Sequence, residues 1–372
     1  MAKVVVGMSG GVDSSVSLLL LKEQGYEPIG VSLKYDIWRD SCNDCEENVC
    51  CSKKSFAIAK NVCKQLGVDH YIVDVATQFK KEVIDYFISE LKNGRTPSPC
   101  VFCNPKVKFK NLLDFADKHG CQYIATGHYA RVNYANKNEG SRIGGKAELL
   151  KAVDEKKDQT YSLSFLTQKE LSRIIFPLGE MTKGQVYEIA NKQKGFEIFE
   201  KQKQSQDFCF ISGKSLPRFL EKEIGVSEGF VKNTNDKVVG IHKGLHFYTI
   251  GQRKGIGIGG VPREARGAKW GPYYVVEKDI NTNDLIVSQN RSNFSKKEIM
   301  LKPFNIISGD NLAVPVMVMA KLRSGAKENK AIISQVGDEL ILEFKHSQDS
   351  VTPGQVAVFY KGDHCLGAGV IN

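Results

Sequence analysis

Lys3-Val4-Val5-Val6-Gly7-Met8-Ser9-Gly10-Gly11-Val12-Asp13-Ser14-Ser15 stands at the start of the chain. Val4 to Gly7 is an apolar, strand-like run, and an amphipathic pattern from about Asp13 to Gln24 predicts a helix directly after it. Gly10 and Gly11 have no Cβ, so backbone N–H groups of the turn can face inward, and the following helix offers the positive end of its dipole to an anion. Ser9, Ser14 and Ser15 add hydroxyl donors, and Asp13 is suited to hold Mg²⁺ on a nucleotide. A capped structural turn is the plain alternative; the heptad's position between strand and helix argues for a phosphate cradle instead. No Gly-Lys-Ser/Thr follows, so this is not a Walker A loop. The third glycine and downstream acid of the dinucleotide fingerprint are missing as well.

Outward from the loop, strand-like and helical runs alternate. Pro28 to Lys34 reads as a strand, Ser55 to Leu66 as a helix, His70 to Val75 as a strand, Lys81 to Leu91 and Val107 to Lys118 as helices, and Tyr123 to Thr126 as a strand. Such alternation predicts an α/β fold, a doubly wound parallel sheet whose ligands sit where strands run into loops, here after Gly7, Leu33 and Thr126. From about Gln206 the pattern changes to a short helix near Leu216 to Lys222, Gly-rich turns, and brief strands at Tyr273 to Val276 and Leu285 to Val287. Val316 to Leu322, Ala331 to Val336, Leu340 to Phe344 and Gln355 to Tyr360 then read as strands of a small C-terminal β-barrel. The expected division is 1–205 for the nucleotide domain, 206–285 for a small central β-rich domain and 286–372 for the barrel. The polar stretch from Asn133 to Lys146 reads as a surface loop or hairpin.

The 372 residues carry 52 Lys and Arg against 42 Asp and Glu, a formal charge of +10 that favours polyanionic partners. No run approaches the ~20 apolar residues of a membrane span, and no signal peptide is evident at Met1, so a cytoplasmic protein with no membrane partner is expected. Ten cysteines in such a chain point to sulfur chemistry or metal rather than to a disulfide framework. Cys42, Cys45, Cys50 and Cys51 could offer thiolates to zinc, but they fit no zinc spacing well and read rather as a mobile loop before the Ser55 helix. Gly255-Ile256-Gly257-Ile258-Gly259-Gly260, with Arg253, Lys254, Arg263 and Arg266 around it, reads as a basic hairpin for a nucleic-acid backbone.

The loop resembles the pyrophosphatase loop of GMP synthetase, argininosuccinate synthetase and the tRNA sulfur-transfer enzymes, which cleave ATP to AMP and pyrophosphate. Further segments narrow the likeness: Gly94-Arg95-Thr96-Pro97-Ser98-Pro99-Cys100-Val101-Phe102-Cys103-Asn104, Thr126-Gly127-His128-Tyr129, Lys157-Asp158-Gln159, Ser205-Gln206-Asp207-Phe208-Cys209-Phe210 and Gly251-Gln252-Arg253-Lys254-Gly255. In this order, over nearly the whole chain, they resemble the tRNA-specific 2-thiouridylase family. The resemblance implies adenylation of the wobble uridine of tRNAs for Lys, Glu and Gln, followed by replacement of its oxygen with sulfur. It implies that Gly7, Met8, Ser9, Gly10, Gly11, Val12, Asp13, Ser14, Leu33 and Gly127 meet ATP. Cys103 would be the catalytic thiol and Cys209 the persulfide carrier, fed by a persulfide or sulfide donor protein, with a Cys103–Cys209 disulfide left after transfer. Ser98, Pro99 and Cys100 would meet the base, with His128, Lys157, Asp158, Gln159, Arg323, Ser324 and Gln355 near tRNA. This chain departs from many members at Leu33, usually Met, at Arg323-Ser324, usually Arg-Tyr, and at Cys100, where several relatives have Asp.

The residues themselves support part of this. Pro97 and Pro99 stiffen the segment before Cys103, and Arg95 and Lys106 flank it, an arrangement expected to favour thiolate. Cys209 sits between Phe208 and Phe210, a setting equally suited to a core cysteine. Cys100, Cys103 and Cys209 also form a possible three-thiolate set for a [4Fe–4S] cluster with one open iron. His128 reads either as a site residue or as a hydrogen-bonded structural histidine. Two other classes compete: a ligase using ammonia at the same loop, which needs an ammonia source absent from the sequence, and a non-catalytic RNA-binding protein, which needs no paired thiols.

Overall fold

The computed structural model describes residues 1–35, 52–135, 146–201, 210–211, 215–258, 272–310, 312–349 and 351–372. Cys42, Cys45, Cys50, Cys51, Cys209, the Ser205–Phe208 motif, and Gly259, Gly260, Arg263 and Arg266 lie outside the described residues.

The first half supplies strands β1 (Lys3–Gly7), β2 (Glu27–Lys34), β3 (His70–Asp74), β4 (Tyr123–Ala125), β5 (Arg131–Ala135), β6 (Lys146–Leu150) and β7 (Ile174–Ile175). Its main helices are α1 (Val12–Glu23), α2 (Lys53–Gln65), α3 (Asp85–Lys92), α4 (Pro99–Cys103), α5 (Lys110–Lys118) and α6 (Lys183–Lys192). One parallel sheet runs β3-β2-β1-β4-β7. Val4, Val5 and Val6 are all at 0 % exposure, each stabilising the fold by roughly 1.5 kcal/mol or more. Val5 points into the layer holding Phe87, Cys103 and Leu112, whereas Val4 and Val6 point into the layer holding Val16, Ile58 and Val186. Alternate side chains of one strand thus bind helices on both faces, which is the predicted doubly wound architecture. The chain leaves β1 toward β2 and β3 on one side and returns to β4 on the other, so the strand order reverses at the end of β1, where the glycine loop lies.

A central unit follows α7 (Leu216–Glu223) and contains β8 (Gly229–Asn233), β9 (Val238–His242), β10 (Tyr274–Asp279) and β11 (Asp284–Ser288), ordered β10-β11-β8-β9. Its own core is Val231, Leu245, Tyr248, Ile256, Val275, Leu285 and Val287. It packs against the first domain at Gly94, where a Cβ would come within 2.9 Å of Ile280 Cγ2. Nearby, Lys278 Nζ is buried without a hydrogen-bond partner, and burial pushes its pKa down from 10.5 to about 8. The folded chain therefore sheds this proton at a lower pH than the unfolded chain. The cost of burying the ammonium is fully present below pH 8 and is relieved as pH rises from about 8 to 10.5. Lys278→Met is expected to raise the melting temperature at pH 7, with a gain that shrinks by pH 10; thermal denaturation at both pH values checks it.

The last part is a closed six-stranded barrel of β12 (Lys296–Ile306), β13 (Val316–Lys321), β14 (Asn329–Val336), β15 (Glu339–Gln348), β16 (Val356–Lys361) and β17 (His364–Ile371), ordered β12-β15-β14-β13-β16-β17 with β12 pairing back to β17. Leu340, Leu342 and Phe344 fill its interior, the period-2 pattern read from the sequence. β16 is buried on both faces: Ala357 and Phe359 enter the barrel core, while Val356, Val358 and Tyr360 join the core of the first domain. The β5–β6 hairpin of the first domain extends the barrel sheet by pairing with β17, Leu150 opposite His364 and Leu149 opposite Cys365. The strands flanking the polar 136–145 stretch thus form the hairpin expected there.

Candidate active site

The glycine loop is closed by its own hydroxyls. Ser14 Oγ donates to Gly11 O at 3.0 Å and accepts from Ser9 N–H at 3.3 Å, while Gly11 N–H donates to Ser9 Oγ at 3.3 Å. Gly10 has φ +78°, and a Cβ there would lie 2.3 Å from Ser55 O, so only glycine fits between loop and α2. Gly11 is the N-cap of α1 and supplies no side chain, which leaves the first N–H groups of the helix facing outward for an anion. Gly7 ends β1, Met8 and Val12 are buried beside the loop, and Leu33 is buried near the carboxyl end of β2. Gly127 lies directly on the loop: a Cβ there would stand 2.8 Å from both Asp13 C and Ser14 N.

Asp13 is held by Tyr129, the end of the Thr126–Tyr129 motif, and by Lys183, which the sequence did not single out. Its Oδ1 accepts from Tyr129 Oη at 2.7 Å and from Lys183 Nζ at 2.6 Å. Burial, then the Asp13 carboxylate, raises the Tyr129 phenol well above its ordinary value, so it remains a donor. Tyr129 also exchanges bonds with Gln159: Tyr129 N–H donates to Gln159 Oε1 at 2.9 Å, and Gln159 N–H donates to Tyr129 O at 2.9 Å. Asp158 accepts from Ala152 N–H and Thr160 Oγ1–H, which fastens this turn from within, and Lys157 N–H donates to Asp154 O.

His128 is a hydrogen-bonded histidine, as one of its two readings expected. Its Nδ1 is 2.7 Å from Thr126 Oγ1 and its Nε2 is 3.3 Å from Lys108 Nζ. An ammonium can only donate, so Nε2 accepts and Nδ1–H donates to Thr126. Burial first, and the Lys108 charge second, hold this imidazole well below its usual range, neutral at physiological pH.

A second cluster forms around the thiols. α4 is a single turn with Pro99 at its start, and its i, i+3 spacing puts Cys100 and Cys103 one turn apart on one face. Cys103 is 4 % exposed and Cys100 half-buried, and neither is in a disulfide. The expected cationic flanks are otherwise engaged: Arg95 Nε pairs with Glu90 at 2.8 Å, and Lys106 pairs with Glu82 at 3.2 Å while lying over the Phe102 ring. The barrel clamps the segment before the helix. Thr96 N–H donates to Pro353 O at 2.8 Å, Gln355 Nε2 to Thr96 O at 2.9 Å, and Ser98 Oγ to Gln355 Oε1 at 3.3 Å. Tyr161 Oη donates to Val356 O at 2.8 Å, with Ser98, the Ser324 backbone and Cys100 close by; burial pushes its phenol up to about 12. Arg323 is exposed on the turn between β13 and β14.

One segment, 157–163, ties the clusters together. Gln159 grips Tyr129 on the Asp13 side, Tyr161 grips the barrel at Val356, and Ser162 O accepts from Asn104 Nδ2 at 2.7 Å beside Cys103. Ser98, Cys100, Ser324 and Gln355 therefore meet around Tyr161, while Gly127, Asp13, Ser14 and Gln159 meet around Tyr129.

A glycine loop at a switch point, linked to a helix that bears two cysteines and is clamped by a β-barrel, defines an α/β protein of the nucleotide-binding class. Three family models cover the chain: tRNA methyl transferase HUP domain over residues 2–213, tRNA methyl transferase PRC-barrel domain over 217–289, and aminomethyltransferase beta-barrel domain over 296–371. The tRNA-specific 2-thiouridylase MnmA of Clostridioides difficile (strain 630) is 40 % identical over 99 % of this chain and 98 % of its own length. The protein of that name from Halothermothrix orenii is 42 % identical over 100 % and 99 %, and the first such protein of Geobacillus kaustophilus 41 % over 100 % and 95 %. The chain belongs to the tRNA-specific 2-thiouridylase family.

Proposed function

We propose that this protein is an ATP-dependent tRNA-uridine 2-sulfurtransferase that adenylates the C2 oxygen of the wobble uridine in tRNAs for Lys, Glu and Gln and replaces it with sulfur. The observation that carries this reading is the 157–163 tie, which couples a phosphate-binding loop to a helix bearing two cysteines. A methyl transferase, as two of the family models are titled, needs neither a triphosphate cradle nor paired thiols. ATP is held by the loop and α1, with Leu33 and Gly127 beside it. Asp13 fits a divalent ion on the nucleotide, because its carboxylate is 35 % exposed at the loop and Oδ2 is left over from its two bonds. Mg²⁺ bound there would draw charge from the polyphosphate.

The uridine oxygen attacks the α-phosphorus, the bond to the β-phosphate oxygen breaks, and pyrophosphate leaves with the electron pair. Adenylation makes the C2 oxygen a good leaving group. The outer sulfur of a Cys209 persulfide, charged by a donor protein, attacks C2 and expels AMP. Cys103 thiolate then attacks the Cys209 sulfur, releasing thiolated tRNA and leaving a Cys103–Cys209 disulfide that a reductant must reopen. Burial of Cys103 shields the thiol from adventitious oxidation between turnovers. The Cys100–Cys103 face also fits two ligands of a three-thiolate [4Fe–4S] cluster, which would present sulfide from its open iron in place of the persulfide. Mass spectrometry of tRNA nucleosides from cells lacking the protein tests the function: loss of wobble 2-thiouridine is expected, and its retention would refute the reading.

The barrel is the proposed tRNA-binding arm. Arg323→Ala is expected to weaken tRNA binding and to reduce the dependence of log Kd on log salt by about one unit, as for one lost phosphate contact. Filter binding across a salt series checks it; a change in ATP affinity with none in tRNA affinity would contradict it.

A further inference from the structure

Lys183 has no place in the scheme above, yet it reaches the loop from 170 residues away in sequence. It is the first residue of α6, at a helix start fixed by the Thr182–Gln185 capping box, and its N–H donates to Asp154 Oδ2 at 2.9 Å. Val186 and Ala190 of α6 pack in the same core as Val16 and Leu19 of α1, which sets the distance between the lysine and the loop. The side chain is 12 % exposed, runs past the Tyr129 and Tyr187 rings at 5.8 and 5.0 Å, and ends 2.6 Å from Asp13 Oδ1. Packing and rings therefore hold an ammonium at the mouth of a cradle whose own residues 9–15, among the described residues, offer uncharged hydroxyls and backbone N–H groups as donors.

We propose that Lys183 is a catalytic residue that binds the β- and γ-phosphates of ATP, and that its pairing with Asp13 is the resting arrangement of the loop. The proposal rests on the reading of the loop as an ATP site and assigns the residue that stabilises the leaving group there. When the triphosphate enters, the ammonium exchanges one Asp13 oxygen for phosphate oxygens, and Asp13 becomes available to the cation that accompanies the nucleotide. As the α-phosphorus–oxygen bond breaks, negative charge grows on the pyrophosphate, and a fixed ammonium stabilises that charge more than the ground state. No proton changes hands. Tyr129 keeps its bond to Asp13 throughout, so the carboxylate does not swing away when the lysine leaves.

The test compares Lys183→Met and Lys183→Arg with the parent enzyme in two measurements. The first is tRNA-dependent AMP and pyrophosphate formation; the second is binding of α,β-methylene-ATP and of AMP by calorimetry, with a thermal melt as the folding control. Lys183→Met is expected to lower kcat for AMP formation on the order of 100-fold. It should weaken α,β-methylene-ATP about tenfold while leaving AMP, which lacks the β- and γ-phosphates, unchanged. Lys183→Arg should restore most of the triphosphate preference. A purely structural lysine would alter both ligands alike, and that result, or turnover within about threefold of the parent, would overturn the proposal. If Lys183→Met fails to fold, the ratio of the two affinities in Lys183→Arg and Lys183→Gln decides the same question. A parent enzyme that makes no AMP with tRNA would instead refute the reading of the function.

Discussion

Asp13→Asn is expected to abolish tRNA-dependent formation of AMP and pyrophosphate, lowering the rate roughly 10²- to 10³-fold or more. Asp13 is the one acid in the loop 9–15, and its carboxylate is the group there suited to a divalent ion. Asparagine still accepts from Tyr129 and remains a neighbour of Lys183, so the loop keeps its shape while losing the charge. Asp13→Ala is the harsher variant: it leaves a largely buried ammonium without its acceptor and is expected to lower the melting temperature as well as the rate. Quantifying AMP and pyrophosphate in both variants, with a melting curve for each, separates lost chemistry from lost stability. Retained turnover with normal Mg²⁺ dependence in Asp13→Asn would remove the loop from the mechanism.

Cys103→Ser is expected to have an equally large effect on a different step. Adenylation needs no thiol, so AMP formation should persist in a single turnover, whereas release of 2-thiouridine should fall below about one part in a hundred, the size expected when a positioned nucleophile is removed. Cys209→Ser should behave likewise. Cys100 then discriminates between the two sulfur routes. Thiolation by iron-free protein that is unaffected by Cys100→Ser supports persulfide transfer. Activity that appears only after anaerobic reconstitution, and is lost with Ser at each of Cys100, Cys103 and Cys209, supports the cluster.

The nucleotide domain was legible because its signals are local. The β1 valines, the glycine turn and α1 adjoin one another, though α1 is buried on nearly every side and not along one face as its amphipathic reading expected, and the helices expected at Ser55 to Leu66 and Lys81 to Leu91 fall close to those observed at Lys53–Gln65 and Asp85–Lys92. The barrel was legible where apolar and polar residues alternate, as in β15. Two of its strands were not. β12 carries Pro303 at the irregularity where the strand changes partner from β15 to β17, and β17 is diluted by Gly367 and Gly369, both residue types that lower a strand reading. Gly367 is there for close approach, since a Cβ would meet Asn305 O at 2.2 Å.

The site divides along the same line. The loop glycines, Gly127 and the Ser98–Cys103 segment were visible as compact motifs. Lys183 and Tyr161 were not, because a lysine at a helix start and a tyrosine in a short helix are ordinary locally. Their importance comes from partners 170 and 195 positions away, Asp13 and Val356. The cations beside Cys103 have partners that closeness in sequence did not reveal: Arg95 pairs with Glu90 and Lys106 with Glu82.

The most direct test of the account is a single-turnover reaction of the purified full-length protein with ATP, an unmodified tRNA for Lys, Glu or Gln, and a persulfide- or sulfide-generating donor. Nucleotides and digested tRNA nucleosides are quantified together. One AMP and one pyrophosphate are expected for each 2-thiouridine at the wobble position, and none of the three without tRNA. Formation of ADP and phosphate, or incorporation of nitrogen from ammonia in place of sulfur, would contradict it.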